Sequence, residues 1–520
     1  MRSHIASRMD PLTLFIVDLF LLLACAVIAG EIAVHLGQAA MVGQLLVGVV
    51  LGPSLLGPYL GLTVSSTFPA GPGLLGVSPL GSLQFLATIF ILFMAGLEVT
   101  PERIYRMGSR NLALGCVIFV VPLTIGILLS LWALPWIDPK SSFETALLTG
   151  LVLAVTALPV MGILLSEFRI LQSPLGEALV NAALVNEILA VTLFTIFLRL
   201  GPSLLESIVA IIAAVISVGV FLGTIVSVHM GLLLLRRRRH WEWLTDRFSS
   251  FWRSKQGAFA LLMVLLIGST LYSQFLGLTY VMGAFFAGVL VTRESAGREA
   301  HQSISYIFEV MTWGFFVPIF FAIVGIGVNL RLLATPLGIG VFSMITLVAI
   351  VTKVGSGAGM ARVLGWGRAD AGAIGFLVNA RGAVASAMAV ILLQSRLIDD
   401  TVFSIVVGVA IITTILAPVG ALSSWLSSPT SREELFRRIP TLRSRSPSAR
   451  QLRPPVDWGS TMSPSSATLN LRTWLESQGD EAPLPAGTPE APVRVASMQT
   501  ETAAERGPEP RGRDDRREPL

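Results

Sequence analysis

Charge is scarce in this sequence. Asp, Glu, Lys and Arg make up 13% of its 520 residues, where soluble domains carry about 25%, so the chain cannot be mostly water-facing surface. Cysteine is scarcer still: Cys25 and Cys116 both fall inside apolar runs, which excludes a disulfide framework and a CxxC metal or redox site. The five histidines (His4, His35, His229, His240 and His301) are scattered without ligand spacing, and no P-loop or nucleophile elbow occurs. No enzyme chemistry, cofactor or metal centre is therefore expected.

What fills the space is hydrocarbon. The sequence is 53% hydrophobic with a mean hydropathy of +0.75, and apolar segments of spanning length fall at 11–34, 39–56, 82–98, 110–134, 143–165, 176–199, 204–235, 257–275, 277–292, 304–328, 335–361, 371–393 and 400–426. This pattern predicts an all-α polytopic membrane protein of about 13 transmembrane helices. The first run is too long for a signal-peptide core, carries Asp18 and lacks a convincing small-residue cleavage site, so it reads as a retained helix.

Three segments are interrupted: the second by "LGPSLLGP", the fifth by "TALP" from Thr156, and the twelfth by "NARGA" from Asn379. Breaks at membrane depth are tolerated where protein or a water-filled cavity satisfies the freed backbone groups, and paired breaks in two halves point to a transport site.

Lys and Arg set the expected orientation. With the C-terminus inside, the inner loops hold Arg103, Arg106, Arg110, Arg169, Arg236 to Arg239, Arg247, Arg253, Lys255, Arg293, Arg298, Arg362 and Arg368, while the outer side has Arg2, Arg8, Lys140, Arg199, Arg331 and Arg396. The bias predicts an outer N-terminus and a cytoplasmic C-terminus. The basic loop at 236–255 divides the chain into two halves and is expected to rest on anionic headgroups. Residues 1–427 then form one transmembrane domain. Residues 428–520, rich in Pro, Ser, Arg and Glu, are expected to be a cytoplasmic, mostly disordered tail. A basic tail alone is weak reason to invoke nucleic acid, and none is expected as a partner.

Asn186 and Glu187 lie side by side in the apolar stretch "NAALVNEILAVTLF". A carboxylate at the bilayer centre costs about 2.5 kcal/mol or more even on insertion scales, so Glu187 is a functional candidate able to hold either a proton or a cation. Lys353 lies deep in its segment and either faces Glu187, loses its proton or meets backbone carbonyls. Arg381, at the second break, is expected to offset a half-helix C-terminus or to hold helices together. Thr156 and Asn379 are candidates to offer oxygens to a dehydrated cation, or else to satisfy the breaks. Glu98 and Glu309 read as solvated helix-end acids. Gly43, Gly48, Gly283 and Gly288 read as sites of close helix packing.

Six motifs in order, "MVGQLLVGVVLGPSLLG", "LATIFILFMAGLE", "AVTALPVMGILLSEFRIL", "YVMGAFFAGVLV", "FFVPIFFAIVGIGVNL" and "GFLVNARGAVASAMAV", resemble the monovalent cation:proton antiporters, particularly the branch of potassium-efflux antiporters and plant cation/proton exchangers. The resemblance covers about residues 12–427. It implies a homodimer in a bacterial inner membrane, with dimerisation and core subdomains interleaved, inverted repeats and two crossed broken helices in the core. It also implies exchange of Na+ or K+ for protons by alternating access. Matching "AALVNEI" to the family's Asp-Asp or Asn-Asp motif places Asn186 at its first position and Glu187 at the proton- and ion-carrying second. Glutamate there is a departure, since it adds a methylene and shifts the oxygens by about a bond length. Lys353 matches the base that pairs with the first aspartate in Asp-Asp relatives, a partner that is neutral here. Two other functions stay open: proton-coupled export of an organic substrate on the same fold, and a non-transporting sensor or interaction protein.

Overall fold

Small polar residues and prolines mark where many of the helices begin. The side chains of Ser142, Ser173, Thr335 and Asp399 accept from Thr145, Gly176, Gly338 and Val402 amides, respectively, and Pro174 and Pro336 occupy first helical positions. A computed structural model describes residues 11–56, 79–99, 107–139, 141–200, 204–237, 255–291 and 298–428. Its helices are α1 (Pro11–His35), α2 (Ala40–Leu51), α3 (Pro79–Leu97), α4 (Ser109–Ala133), α5 (Phe143–Ala154), α6 (Leu158–Glu167), α7 (Pro174–Phe197), α8 (Leu204–Arg237) and α9 (Lys255–Phe275). There follow α10 (Tyr280–Leu290), α11 (Arg298–Met311), α12 (Val317–Ile326), α13 (Leu330–Leu333), α14 (Pro336–Val363), α15 (Arg368–Leu377), α16 (Ala383–Gln394) and α17 (Asp400–Leu426).

The described residues are helical, as expected. Among the described residues, nine spans are long and apolar enough to cross a membrane by themselves, and four shorter apolar helices lie at Ala40–Leu51, Phe259–Phe275, Tyr280–Leu290 and Ala383–Gln394. The expected count of about thirteen depends on those shorter helices. The fifth segment is broken between α5 and α6, the twelfth between α15 and α16. A π turn at Thr312–Phe316 joins α11 to α12, a feature the apolar pattern does not reveal. Most of the basic loop at 236–255, the inner-loop arginines Arg103 and Arg106, and the tail from 429 onward lie outside the described residues.

Two sets of helices pack internally. In one, α2 packs on α1 and α12, and α3 on α10. In the other, α4 packs on α5, α7 and α14, while α15 packs on α14 and α17. The second set holds both broken helices, α5–α6 and α15–α16. The long helices α1 and α8 keep their apolar faces outward, with Ile16, Phe20, Ile28, Ile212, Val215 and Ile216 exposed, which suits lipid contact.

Glycine sets how closely the first set packs. A Cβ on Gly96 would run into the carbonyl oxygen of Phe285, and one on Gly288 into that of Phe93, so α3 and α10 touch backbone to backbone. Gly48 and Gly325 do the same for α2 and α12. Gly96→Ala is therefore expected to destabilise the fold by about 1–3 kcal/mol, seen as a lower melting temperature of the detergent-solubilised protein. An unchanged melting temperature would show that α3 and α10 part at no cost.

Candidate functional site

All six polar residues singled out by the sequence are buried in the second helix set. Thr156, Asn186, Glu187, Lys353 and Asn379 have no exposed surface and Arg381 has 2%. The two broken helices meet at their breaks. The Ala157 amide donates to the Ala380 carbonyl at 3.2 Å, and the Thr156 hydroxyl donates to the Val378 carbonyl at 2.8 Å.

The next helix fastens this crossing. Asn186, on α7, accepts from the Thr156 amide at 2.7 Å and donates through Nδ2 to the Ala154 carbonyl at 3.2 Å. Its amide side chain thus supplies both a donor and an acceptor to backbone freed by the break, a task for which a neutral residue is suited. Lys353 Nζ donates to the Ile118 carbonyl at 3.0 Å and also to that of Ala154. Of the three partners open to Lys353 from sequence, backbone carbonyls are those it meets. Arg381 Nη1 donates to the Val152 carbonyl at 3.0 Å, while Thr414 on α17 accepts from the Arg381 amide and donates to the Arg381 carbonyl, at 3.0 and 2.9 Å.

These bonds separate charge across the first break. Both buried cations sit at the carbonyl end of α5, where the helix dipole favours positive charge. Glu187 lies at the other side of the break, beside the backbone amide of Leu158, the first residue of α6 and its positive end, without completing a hydrogen bond. Neither Glu187 oxygen has a hydrogen-bond partner among the described residues, and the same holds for both polar atoms of the Asn379 side chain. The carboxylate is thus poised electrostatically but not consumed by a structural bond, which leaves its oxygens able to take a proton or a cation.

Thr414 escaped the sequence reading. It follows Thr413, whose hydroxyl returns to its own helix at Val409, and nothing in "IITTIL" separates the two roles. Glu98 also differs from expectation. It is half-buried just beyond α3 and interacts electrostatically with Glu187 and with Glu309, the latter exposed on α11.

The family model described as sodium/hydrogen exchanger, transmembrane, matches residues 20–422. The chain is 26% identical over 412 residues to a Na(+)/H(+) antiporter, NhaS4, of Synechocystis, covering 78% of this chain and 96% of that protein. It is 26% identical to the Na(+)/H(+)-K(+) antiporter GerN of Bacillus cereus, covering 78% and 94%. It is 27% identical to the K(+)/H(+) antiporter 1 of Saccharomyces cerevisiae, covering 78% of this chain and 46% of the yeast protein. Among solved structures, the sodium proton antiporter MjNhaP1 of Methanocaldococcus jannaschii superposes with a TM-score of 0.55 at 17% identity, covering 79% of this chain and 98% of that one. That likeness is one of fold.

Proposed function

Because this chain belongs to the sodium/hydrogen exchanger family of transmembrane proteins, we propose that it is a secondary antiporter exchanging Na+ or K+ for protons, with Glu187 as the carboxylate both compete for. The observation that carries the reading is the buried Glu187 carboxylate, unpartnered among the described residues and placed at the N-terminal end of α6. Fixed dipoles there replace water as stabilisers of negative charge, so the ionised form is tolerated long enough to take a cation. Protonation discharges the site, and the cation leaves. One carboxylate holds one or the other, which couples the two flows. Thr156 and Asn379 line the breaks beside it, Asn186 holds the crossing in shape, and Lys353 and Arg381 fix the carbonyl end of α5. The protein works as a homodimer in a bacterial inner membrane.

The deciding experiment is transport in proteoliposomes. With an inside-acidic pH gradient imposed, K+, Na+, Li+ and an organic cation are added in turn. Collapse of the gradient by Na+ or K+ is the expected result. Collapse by the organic cation alone would make this an organic-substrate exporter, and no cation dependence would make it a sensor that keeps the fold. The proposed sidedness has its own check: single cysteines placed in the 238–254 loop and in the 428–520 tail should resist a membrane-impermeant thiol reagent on intact cells. Labelling of either from outside would reverse the orientation.

A further inference from the structure

A cavity of about 500 Å³ lies in the seam between the two helix sets. Ile323 and Val324 of α12 and Gln84 of α3 face it from one side, and Val390 of α16 and Phe403 of α17 from the other. At ~30 Å³ per non-hydrogen atom it holds roughly fifteen such atoms, within the usual size of a small-molecule site and far beyond what one cation fills. None of the six polar residues at the breaks lines it.

Its polar groups are specific. Gln84 is 2% exposed, yet its Oε1 has no hydrogen-bond partner among the described residues. A buried amide oxygen left without a donor is costly. At the mouth stand Arg396 and Asp400, opposite charges on the same cavity that form no ion pair with each other. Arg396 is also held at φ 57°, a conformation uncommon outside glycine. Asn329 lines the cavity too, but its oxygen already accepts from the Arg331 amide at 3.1 Å.

We propose that this cavity binds a small zwitterion of amino-acid size. Its carboxylate pairs with Arg396, and its ammonium group with Asp400 and the Gln84 oxygen, so the ligand supplies the opposite pair that the two rim charges do not give each other. Bound there, it wedges the seam and slows exchange. The binding claim stands apart from the antiporter reading, on which only the inhibitory effect rests.

Titration calorimetry on the purified full-length protein tests it, with glycine, glutamine and arginine as zwitterions and ethylamine and acetate as single-charge controls. At least one zwitterion should bind saturably at millimolar concentration or below. Arg396→Gln and Asp400→Asn should each weaken it by about tenfold or more, and the controls should bind no better than those variants. Gln84→Leu should weaken binding without lowering the melting temperature, since it removes an unpartnered polar atom. Absence of saturable binding by all three zwitterions, or binding indifferent to Arg396→Gln and Asp400→Asn, would overturn the proposal. In proteoliposomes the bound zwitterion should lower the exchange rate, and binding without that effect would overturn the wedge alone. A protein that binds the zwitterion but moves no cation would sink the antiporter reading and leave the site intact.

Discussion

Glu187→Gln is expected to reduce cation-dependent proton movement in proteoliposomes by on the order of a hundredfold or more, the rate equivalent of about 2.7 kcal/mol. The reason is local. Neither Glu187 oxygen is engaged in a hydrogen bond among the described residues, so the substitution takes away little that holds helices together while removing the charge a cation needs. The folded protein should therefore survive with its melting temperature nearly unchanged. A steric insertion such as Gly96→Ala should do the reverse, lowering stability and sparing the site chemistry. Full activity in Glu187→Gln would move the exchanging carboxylate elsewhere, and Glu98, the half-buried acid that interacts with Glu187, would be the first to examine.

Exchange by the unmodified protein is expected to ignore an imposed membrane potential. One carboxylate trading one proton for one monovalent cation moves no net charge, and Asn186 cannot accept a proton. Lys353→Gln should accordingly keep exchange at a reduced level, because Lys353 is bonded to the Ile118 and Ala154 carbonyls and not to a carboxylate. Asn186→Asp should change the behaviour. Asn186 and Lys353 both donate to the Ala154 carbonyl, so an aspartate at 186 would place a second carboxylate within reach of the Lys353 ammonium and add a titrating pair to the cycle. Each extra charge moved is worth about 2.3 kcal/mol per 100 mV, or about fiftyfold in the cation ratio the exchanger can sustain. The measurement is the dependence of the final cation gradient on a valinomycin-clamped potential. Voltage-sensitive exchange in the unmodified protein would mean that Lys353 itself gives up a proton in each cycle.

The sequence showed the breaks more clearly than what the breaks do. "TALP" and "NARGA" stand out because polar and helix-breaking residues inside apolar runs violate the spanning pattern, and the gaps between α5 and α6 and between α15 and α16 fall there. Asn186, Glu187, Lys353 and Arg381 were visible for the same reason. Their partners were not, because most are backbone carbonyls, and a carbonyl freed by a break leaves no mark in residue identity. Thr414 was hidden by its likeness to Thr413, since a threonine hydroxyl in an apolar helix usually returns to its own turn. The half-burial of Glu98 is not legible in sequence, because a place at a helix end does not fix exposure; neighbouring helices decide it.

The crossing also has a history in time. At the end of α5 the Val152 carbonyl has from its own turn only a 3.5 Å bond from the Val155 amide, the Ala154 carbonyl is freed by the break, and the Thr156 hydroxyl needs an acceptor. The groups that satisfy them come from Arg381, Lys353 and Val378, which lie 229, 199 and 222 positions later in the chain. At roughly 5–20 residues per second of synthesis, the first broken helix waits about 10–45 s for partners that do not yet exist. Asn186, only 30 positions after Thr156, arrives within about 2–6 s on the same scale. Before its second half is made, the nascent protein thus has in Asn186 a clamp for the first break, and a neutral side chain can perform that office beside hydrocarbon without bringing an unpaired charge into the unfinished bundle.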